Sequence, residues 1–194
     1  MARIIQINQA IDWRVLVVQM SLEERVQLIE DRNEIADLQA RYINYNDGGW
    51  QGPTHNHPGS VADLFTEDGV WEGPLGSVRV QGHAAIAELF GQFQVIPFII
   101  HNVMNPLIEI DGDDARGQWH AIIATTTAEG QAFWTFGRYL NEYRRASQGW
   151  RYTRMSFEAA SVTTYEKGWG VEQFPGQDAV RPQFDTAIGT STKG

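Results

Sequence analysis

Apolar residues recur at helical spacing through Leu22, Val26, Ile29, Ile35, Leu38, Tyr42 and Tyr45, and Asp47-Gly48-Gly49 breaks the pattern. Ser21 and Glu24 make a capping box at its start, each side chain placed to satisfy an orphan amide of the first turn. The spacing predicts a helix of roughly 24 residues, about 36 Å long, with one apolar stripe. Residues 1–20 read as an arm of mixed character. The stretch 48–60, rich in Gly, Pro and His, reads as a loop. A short helix is expected over Val61–Phe65, and short strands near Val70–Gly73 and Gly76–Gln81. A second helix is expected over His83–Gln94, with Ile86, Leu89, Phe90 and Phe93 on one side and Pro97 closing it.

From His101 the pattern changes to strands. His101–Ile110, Ala115–Thr127, Gln131–Arg145 and Trp150–Val162 are long segments rich in β-formers, separated by Asp111–Asp114, Ala128-Glu129-Gly130 and Ser147-Gln148-Gly149. Long strands joined by short Gly or Asp turns predict an antiparallel meander. Helices followed by a curled antiparallel sheet make an α+β layout, and a long helix laid across a bent sheet leaves a hollow. One domain is expected over residues 21–164. Residues 165–194, broken by Pro and Gly, read as a tail that packs on a partner or stays free.

Composition narrows the function classes. A chain of 194 residues, 42% hydrophobic and 20% charged, is globular and long enough for a sizeable core. A net charge of -9 argues against a nucleic-acid partner, which needs a basic face. With no cysteine, disulfides, zinc-thiolate sites and cysteine nucleophiles are excluded. No apolar run approaches the roughly 18 residues of a membrane span, and neither a signal peptide nor a membrane partner is expected; the expected location is cytoplasmic. Seven Trp suit either a large apolar core or an aromatic-lined cavity.

Phosphate-loop, dinucleotide and Gly-x-Ser-x-Gly signatures are absent. Asp111–Asp114 resembles a calcium loop only superficially, since the required Gly and Glu are not at the right offsets. His55 and His57 form a His-x-His pair that suits either a metal or, as is commoner on a Gly/Pro-rich loop, the solvent. No metal and no cofactor is expected.

Two segments resemble a known family. The first is Tyr42-Ile43-Asn44-Tyr45-Asn46-Asp47-Gly48-Gly49-Trp50, followed by Leu64-Phe65-Thr66-Glu67-Asp68-Gly69-Val70-Trp71-Glu72-Gly73. The second starts at His101-Asn102-Val103-Met104-Asn105-Pro106, runs through Asp111-Gly112-Asp113-Asp114, and continues at Gly137-Arg138-Tyr139 and Gly149-Trp150-Arg151. In order and spacing they resemble the SnoaL-like branch of the nuclear-transport-factor-2-like (NTF2-like) superfamily, over roughly residues 20–160. The resemblance implies a cone-shaped α+β fold, its curved antiparallel sheet and long N-terminal helix enclosing a pocket. It also implies cofactor-free chemistry of the scytalone dehydratase, bile-acid 7α-dehydratase or dehydrochlorinase kind. In the eliminating members an Asp at the end of the first helix orients a His on the first meander strand. Asp47 and His101 match those places, and Tyr42 matches a Tyr five residues before the Asp. The second catalytic His of scytalone dehydratase falls near Thr126 here, and the Asp of the bile-acid enzyme near Ala124, so neither supplies an acid.

The chemistry of these residue types agrees. Histidine exchanges protons near neutral pH, and a carboxylate on its far ring nitrogen fixes the tautomer and stabilises the imidazolium. Tyr42 or Tyr45 suits a leaving hydroxyl or an oxyanion. Tyr45, Trp71, His120, Phe133, Arg138 and Tyr139 are candidate substrate contacts. Trp119, Trp134 and Arg154 are further candidates, with core packing or surface charge as the competing reading. Strand alternation allows only one of Trp119 and His120, and one of Phe133 and Trp134, to face a cavity. The expected activity is a cofactor-free lyase or isomerase acting on a bulky aromatic or polycyclic molecule, by loss of water or by carbon–carbon cleavage such as deformylation. Alternatives are a non-catalytic small-molecule binding module and the small subunit of a ring-hydroxylating dioxygenase. A homo-oligomer, dimer or trimer, is expected.

Overall fold

The computed structural model describes residues 20–48, 52–55, 57–74 and 77–173. The arm before Met20, the tail after Gln173 and the start of the segment expected as a strand from Gly76 lie outside the described residues. Helix α1 spans Leu22–Asn46, and the capping box closes as expected: Glu24 N–H donates to Ser21 Oγ at 3.1 Å and Ser21 N–H to Glu24 Oε2 at 2.7 Å. Helix α2 (Pro58–Ala62) starts earlier than expected, with Pro in its first turn, where a missing N–H costs nothing. Strand β1 (Phe65–Glu72), strand β2 (Arg79–Gln81) and helix α3 (His83–Gln92) follow, and a 3₁₀ turn over Phe93–Val95 finishes the second expected helix.

The meander is present: β3 (Phe98–Asp111), β4 (Asp114–Thr126), β5 (Ala132–Ala146) and β6 (Gly149–Thr164) pair antiparallel in sequence. The six strands form one curved, open sheet in the order β2-β1-β6-β5-β4-β3. It is mixed, because β1 joins β6 in parallel. Register shifts at Met104/Leu107, Phe136/Gly137 and Glu142/Tyr143 mark bulges, which bend the sheet around α1. At the β5–β6 turn Gly149 has φ +96°, and a Cβ there would collide with the Glu34 carboxylate of α1.

The helix is held in two ways. Its second half buries Ile35, Leu38 and Tyr42 against the sheet. Its first half does not: Leu22, Val26 and Ile29, expected in the apolar stripe, are exposed. Polar ties hold this half. Arg32 Nη1 donates to the Ile108 carbonyl at 2.7 Å. Asp31, 4% exposed, accepts from Arg145 and from Trp150 Nε1. One turn beyond Ile35, Gln39 Oε1 accepts from Asn141 Nδ2 (2.9 Å) and Tyr152 (3.0 Å), closing that part of the interior. The space left open lies past it, at the C-terminal end of α1. After β6 the chain turns back on its own sheet, with Trp169 edge-on to Phe136 and the Gln173 carbonyl accepting from Val162 N–H. Among the described residues no helix is long and apolar enough to cross a membrane.

Candidate active site

Asp47 is the residue at which α1 ends. Its N–H still bonds the Ile43 carbonyl at 2.9 Å, while its own backbone is extended. Gly48 N–H then donates to the Ile99 carbonyl (3.1 Å), tying the helix end to β3 two residues before His101. A Cβ at Gly48 would lie 2.5 Å from Thr54 Cγ2, so this close approach of helix end and loop needs glycine.

The tie brings Asp47 onto His101 twice. The carboxylate accepts the His101 main-chain N–H at 3.0 and 3.2 Å, and its Oδ1 lies 2.6 Å from the ring Nδ1. Both side chains are almost fully buried. A carboxylate only accepts, so Nδ1 carries a ring proton, and in the neutral ring Nε2 keeps a lone pair. His101 lines a cavity of about 110 Å³, the scale of the roughly 150 Å³ cavity that admits benzene in an engineered protein.

Tyr42, five residues before Asp47 in the last turns of α1, lines the same cavity. Its oxygen accepts from Trp71 Nε1 at 3.1 Å, and the Tyr139 ring packs edge-on against the Tyr42 ring. That bond takes one lone pair and leaves the Tyr42 O–H able to donate to a ligand. Burial, with the Asp47 charge adding to it, pushes the Tyr42 hydroxyl well above the usual tyrosine range, so it stays a protonated donor. Burial likewise raises Tyr139.

Most of the remaining wall is apolar, built by Phe90, Phe93, Ile96, Ile99, Ile123 and Phe157, with Asn46, His55, Thr125 and Thr135 adding polar side chains. His101 apart, no ionisable side chain of the Asp, Glu, Lys, Arg or His types lines it among the described residues except His55. His55 is 4% exposed. Burial, then the nearby His101 charge, lowers its pKa to about 3 against a weaker opposing contact from the Phe93 carbonyl, so the ring is neutral.

The structure therefore gathers Asp47, His101, Tyr42, Trp71 and Tyr139, and leaves other candidates elsewhere. His120 and Arg138 face each other across β4 and β5 on the outer surface, where Arg138 pairs with Glu158. The physical reason is alternation: their neighbours Trp119 and Tyr139 point inward, so they point out. Arg154 is likewise outside, bonded to Glu72. Tyr45 is half-buried against the His57 ring, off the cavity. Phe133 is buried without lining it, Trp134 stacks on Phe136, and Trp119 donates to Tyr143 in the filled part of the core. Of the places where a further acid was sought, Thr126 and Ala124 are not in the lining; Thr125 between them is.

Sequence reasoning missed His55 and Asn46. His55 sits on the loop read as surface, and no local signal marks it: its burial depends on Thr54 Oγ1 donating to the Ile96 carbonyl, 42 residues away. His57 is exposed, so the His-x-His pair is split between two environments. Among the described residues no group of three or more His, Cys, Asp or Glu side chains is placed to hold a metal ion.

Comparison with known proteins agrees with this architecture. Residues 27–156 match the SnoaL-like domain family. A candidate aromatic ring hydroxylase from Novosphingobium aromaticivorans is 30% identical, with 70% of this chain and 94% of that one covered at a TM-score of 0.64. A candidate scytalone dehydratase from the same species is 18% identical (73% and 91% covered, TM-score 0.62). The hexachlorocyclohexane dehydrochlorinase LinA-type3 of Novosphingobium barchaimii is also 18% identical (72% and 93% covered, TM-score 0.63). At such identities the last two show a shared fold. Comparison with curated proteins gave no match. The chain belongs to the SnoaL-like domain family and has its NTF2-like fold.

Proposed function

We propose that the protein is a cofactor-independent lyase in which His101 takes a carbon-bound proton and Asp47 holds His101 in the reactive tautomer. The observation that carries this is the double clamp of one carboxylate on the His101 main-chain N–H and on Nδ1 at 2.6 Å. It turns Nε2 into the basic atom left for the cavity, and the Asp47 charge stabilises the imidazolium as it forms. The proton passes to Nε2, the C–H electron pair becomes the new double bond, and the leaving group departs with its bonding pair. In a dehydration the His101 imidazolium returns that proton to the departing hydroxyl, releasing water and restoring the dyad. Tyr42 donates to the oxygen on which charge builds, with its own oxygen braced by Trp71. Apart from its two histidines, the lining carries no ionisable Asp, Glu, Lys or Arg side chain among the described residues, which favours an uncharged substrate, since burying an unpaired charge is costly. The cavity volume suits a reacting part of one ring.

The test uses 5-nitrobenzisoxazole, whose ring opens to a coloured phenolate once a base removes its carbon-bound proton. Wild-type protein accelerates the opening in metal-free, cofactor-free buffer, and His101→Ala loses the acceleration while keeping its melting transition. Equal rates in the two proteins sink the proposal. A second reading draws on the 30% identity to the candidate aromatic ring hydroxylase: the chain acts in ring hydroxylation, as the dioxygenase small subunit considered above. Under that reading the probe is opened no faster than in buffer.

A further inference from the structure

Beside the dyad, the end of α1 and the following loop present two hydrogen-bond acceptors that the elimination does not use. Asn46 is 1% exposed and lines the cavity. Its Nδ2 donates to the Tyr42 carbonyl at 2.7 Å, which fixes the amide: a flip would set Oδ1 against that carbonyl. Among the described residues nothing donates to Asn46 Oδ1. A buried acceptor without a donor is rare in folded proteins and asks for an explanation.

His55 supplies the second acceptor. Thr54 spends its hydroxyl proton on the Ile96 carbonyl at 2.5 Å, so towards His55 Nδ1, 3.2 Å away, its oxygen only accepts. Nδ1 is then the protonated nitrogen, and Nε2 bears the lone pair. The ring cannot drift. His55 N–H bonds the Asn46 carbonyl at 3.1 Å, Gln94 Nε2 holds the His55 carbonyl at 3.1 Å, and Phe90 and Phe93 pack on the imidazole. The residue has φ +51°, a left-handed conformation unusual for a side-chain-bearing residue and one that concentrates at ligand sites. Its neutrality near pH 7 keeps Nε2 an acceptor throughout the working range.

We propose that Asn46 Oδ1 and His55 Nε2 form a specificity element that recognises a hydroxyl group on the substrate, so that hydroxylated cyclic compounds are preferred over purely halogenated or hydrocarbon ones. This rests on the eliminating reading above and names its substrate class. The two acceptors are joined by the His55–Asn46 main-chain bond, so they move as one wall. The Tyr42 hydroxyl offers the complementary donor. A ligand with a hydroxyl meets the acceptors. A ligand with a methyl or chlorine in its place leaves the buried acceptors without a donor and binds about 5- to 150-fold more weakly than its hydroxyl counterpart.

The experiment titrates phenol and toluene into the full chain by ligand-observed NMR; the two rings differ by hydroxyl against methyl, groups of similar size. Wild-type protein binds phenol at least about tenfold more tightly. Asn46→Leu and His55→Leu each bring the two affinities towards equality, while His101→Ala keeps the preference. A wild-type ratio near one overturns the proposal, and needs no variant to fold. A preference that survives both Leu substitutions and disappears in His101→Ala also overturns it, placing hydroxyl recognition on the dyad. The eliminating reading fails separately, if 5-nitrobenzisoxazole opens equally fast with His101→Ala.

Discussion

Replacing Asp47 by Asn tests the dyad with the smallest change of shape. Asn keeps an oxygen able to accept the His101 main-chain N–H, now held at 3.0 and 3.2 Å, so the tie between helix end and β3 survives. What changes is the 2.6 Å contact to Nδ1. The negative charge is lost, and an amide NH₂ turned towards Nδ1 donates where the carboxylate accepted, favouring the tautomer with its proton on Nε2. That tautomer has no lone pair for the substrate. Positioned general bases contribute about 10²–10⁴ to rate, so kcat for 5-nitrobenzisoxazole opening should fall by that factor, about 3–5 kcal/mol of transition-state stabilisation. Loss of one charge-assisted hydrogen bond costs about 1–3 kcal/mol of stability, which a urea melt measures independently. KM should change little, because Asp47 is not in the cavity lining. An Asp47→Asn protein that melts normally and turns the probe over at the wild-type rate refutes the reasoning.

Three further outcomes follow from the same geometry. His55 has its pKa lowered from 6.5 to about 3 by burial and by the His101 charge; the unfolded chain therefore takes up a proton that the folded chain refuses, and stability falls as pH drops below about 6.5. Between pH 7 and 5 this removes about 2 kcal/mol, and urea melts of His55→Leu should lack that slope. Asp31 is held below the usual carboxylate range, first by its bond from Arg145 and then by those from Trp150 and Gln27, against burial; Asp31→Ala strands these donors and should cost about 3 kcal/mol in a melt without altering turnover by the folded fraction. His120→Ala and Arg138→Ala, both on the outer face, should leave probe turnover unchanged and stability within about 0.5 kcal/mol, a result that the expectation of cavity contacts could not produce.

The meander was legible because its signals are local. Asp111–Asp114, Glu129-Gly130 and Gly149 carry turn chemistry, and the flanking segments are long and rich in β-branched and aromatic residues. The observed ends lie within three residues of the expected ones: β3 and β6 run past them at both ends, where pairing with a neighbour extends them, while β4 stops one residue short of Thr127 and β5 starts one after Gln131. Strand β1 was read as a fragment from Val70, since Phe65 to Gly69 include Thr, Glu, Asp and Gly; pairing of Phe65 with Tyr152 in a distant strand makes them extended. The apolar stripe of α1 misled in the opposite way. Periodicity says which face a residue shares, but where the sheet stops beneath the helix is set by tertiary packing. Leu22, Val26 and Ile29 therefore stand exposed while Asp31 is buried.

The site divides along the same line. Asp47 and His101 are visible in the sequence because each sits at a place defined by an element boundary, the end of a helix and the start of a strand, and the resemblance supplies the pairing. Their contact across 54 residues needs the Gly48–Ile99 bond, which no local pattern encodes. Asn46 reads as ordinary turn chemistry before Asp-Gly-Gly, and His55 as a solvated loop residue. Yet folding turns both into buried groups of the cavity wall. Burial converts their chemistry: an imidazole that would titrate near neutrality becomes a fixed acceptor, and an amide that would cap a helix becomes an orphan oxygen. Under the proposal, proton transfer thus falls to residues whose types announce it, and selectivity to residues whose types are commonplace and whose placement is not. On that assignment, substitutions at Asn46 and His55 should change the ligand accepted while leaving the proposed base intact.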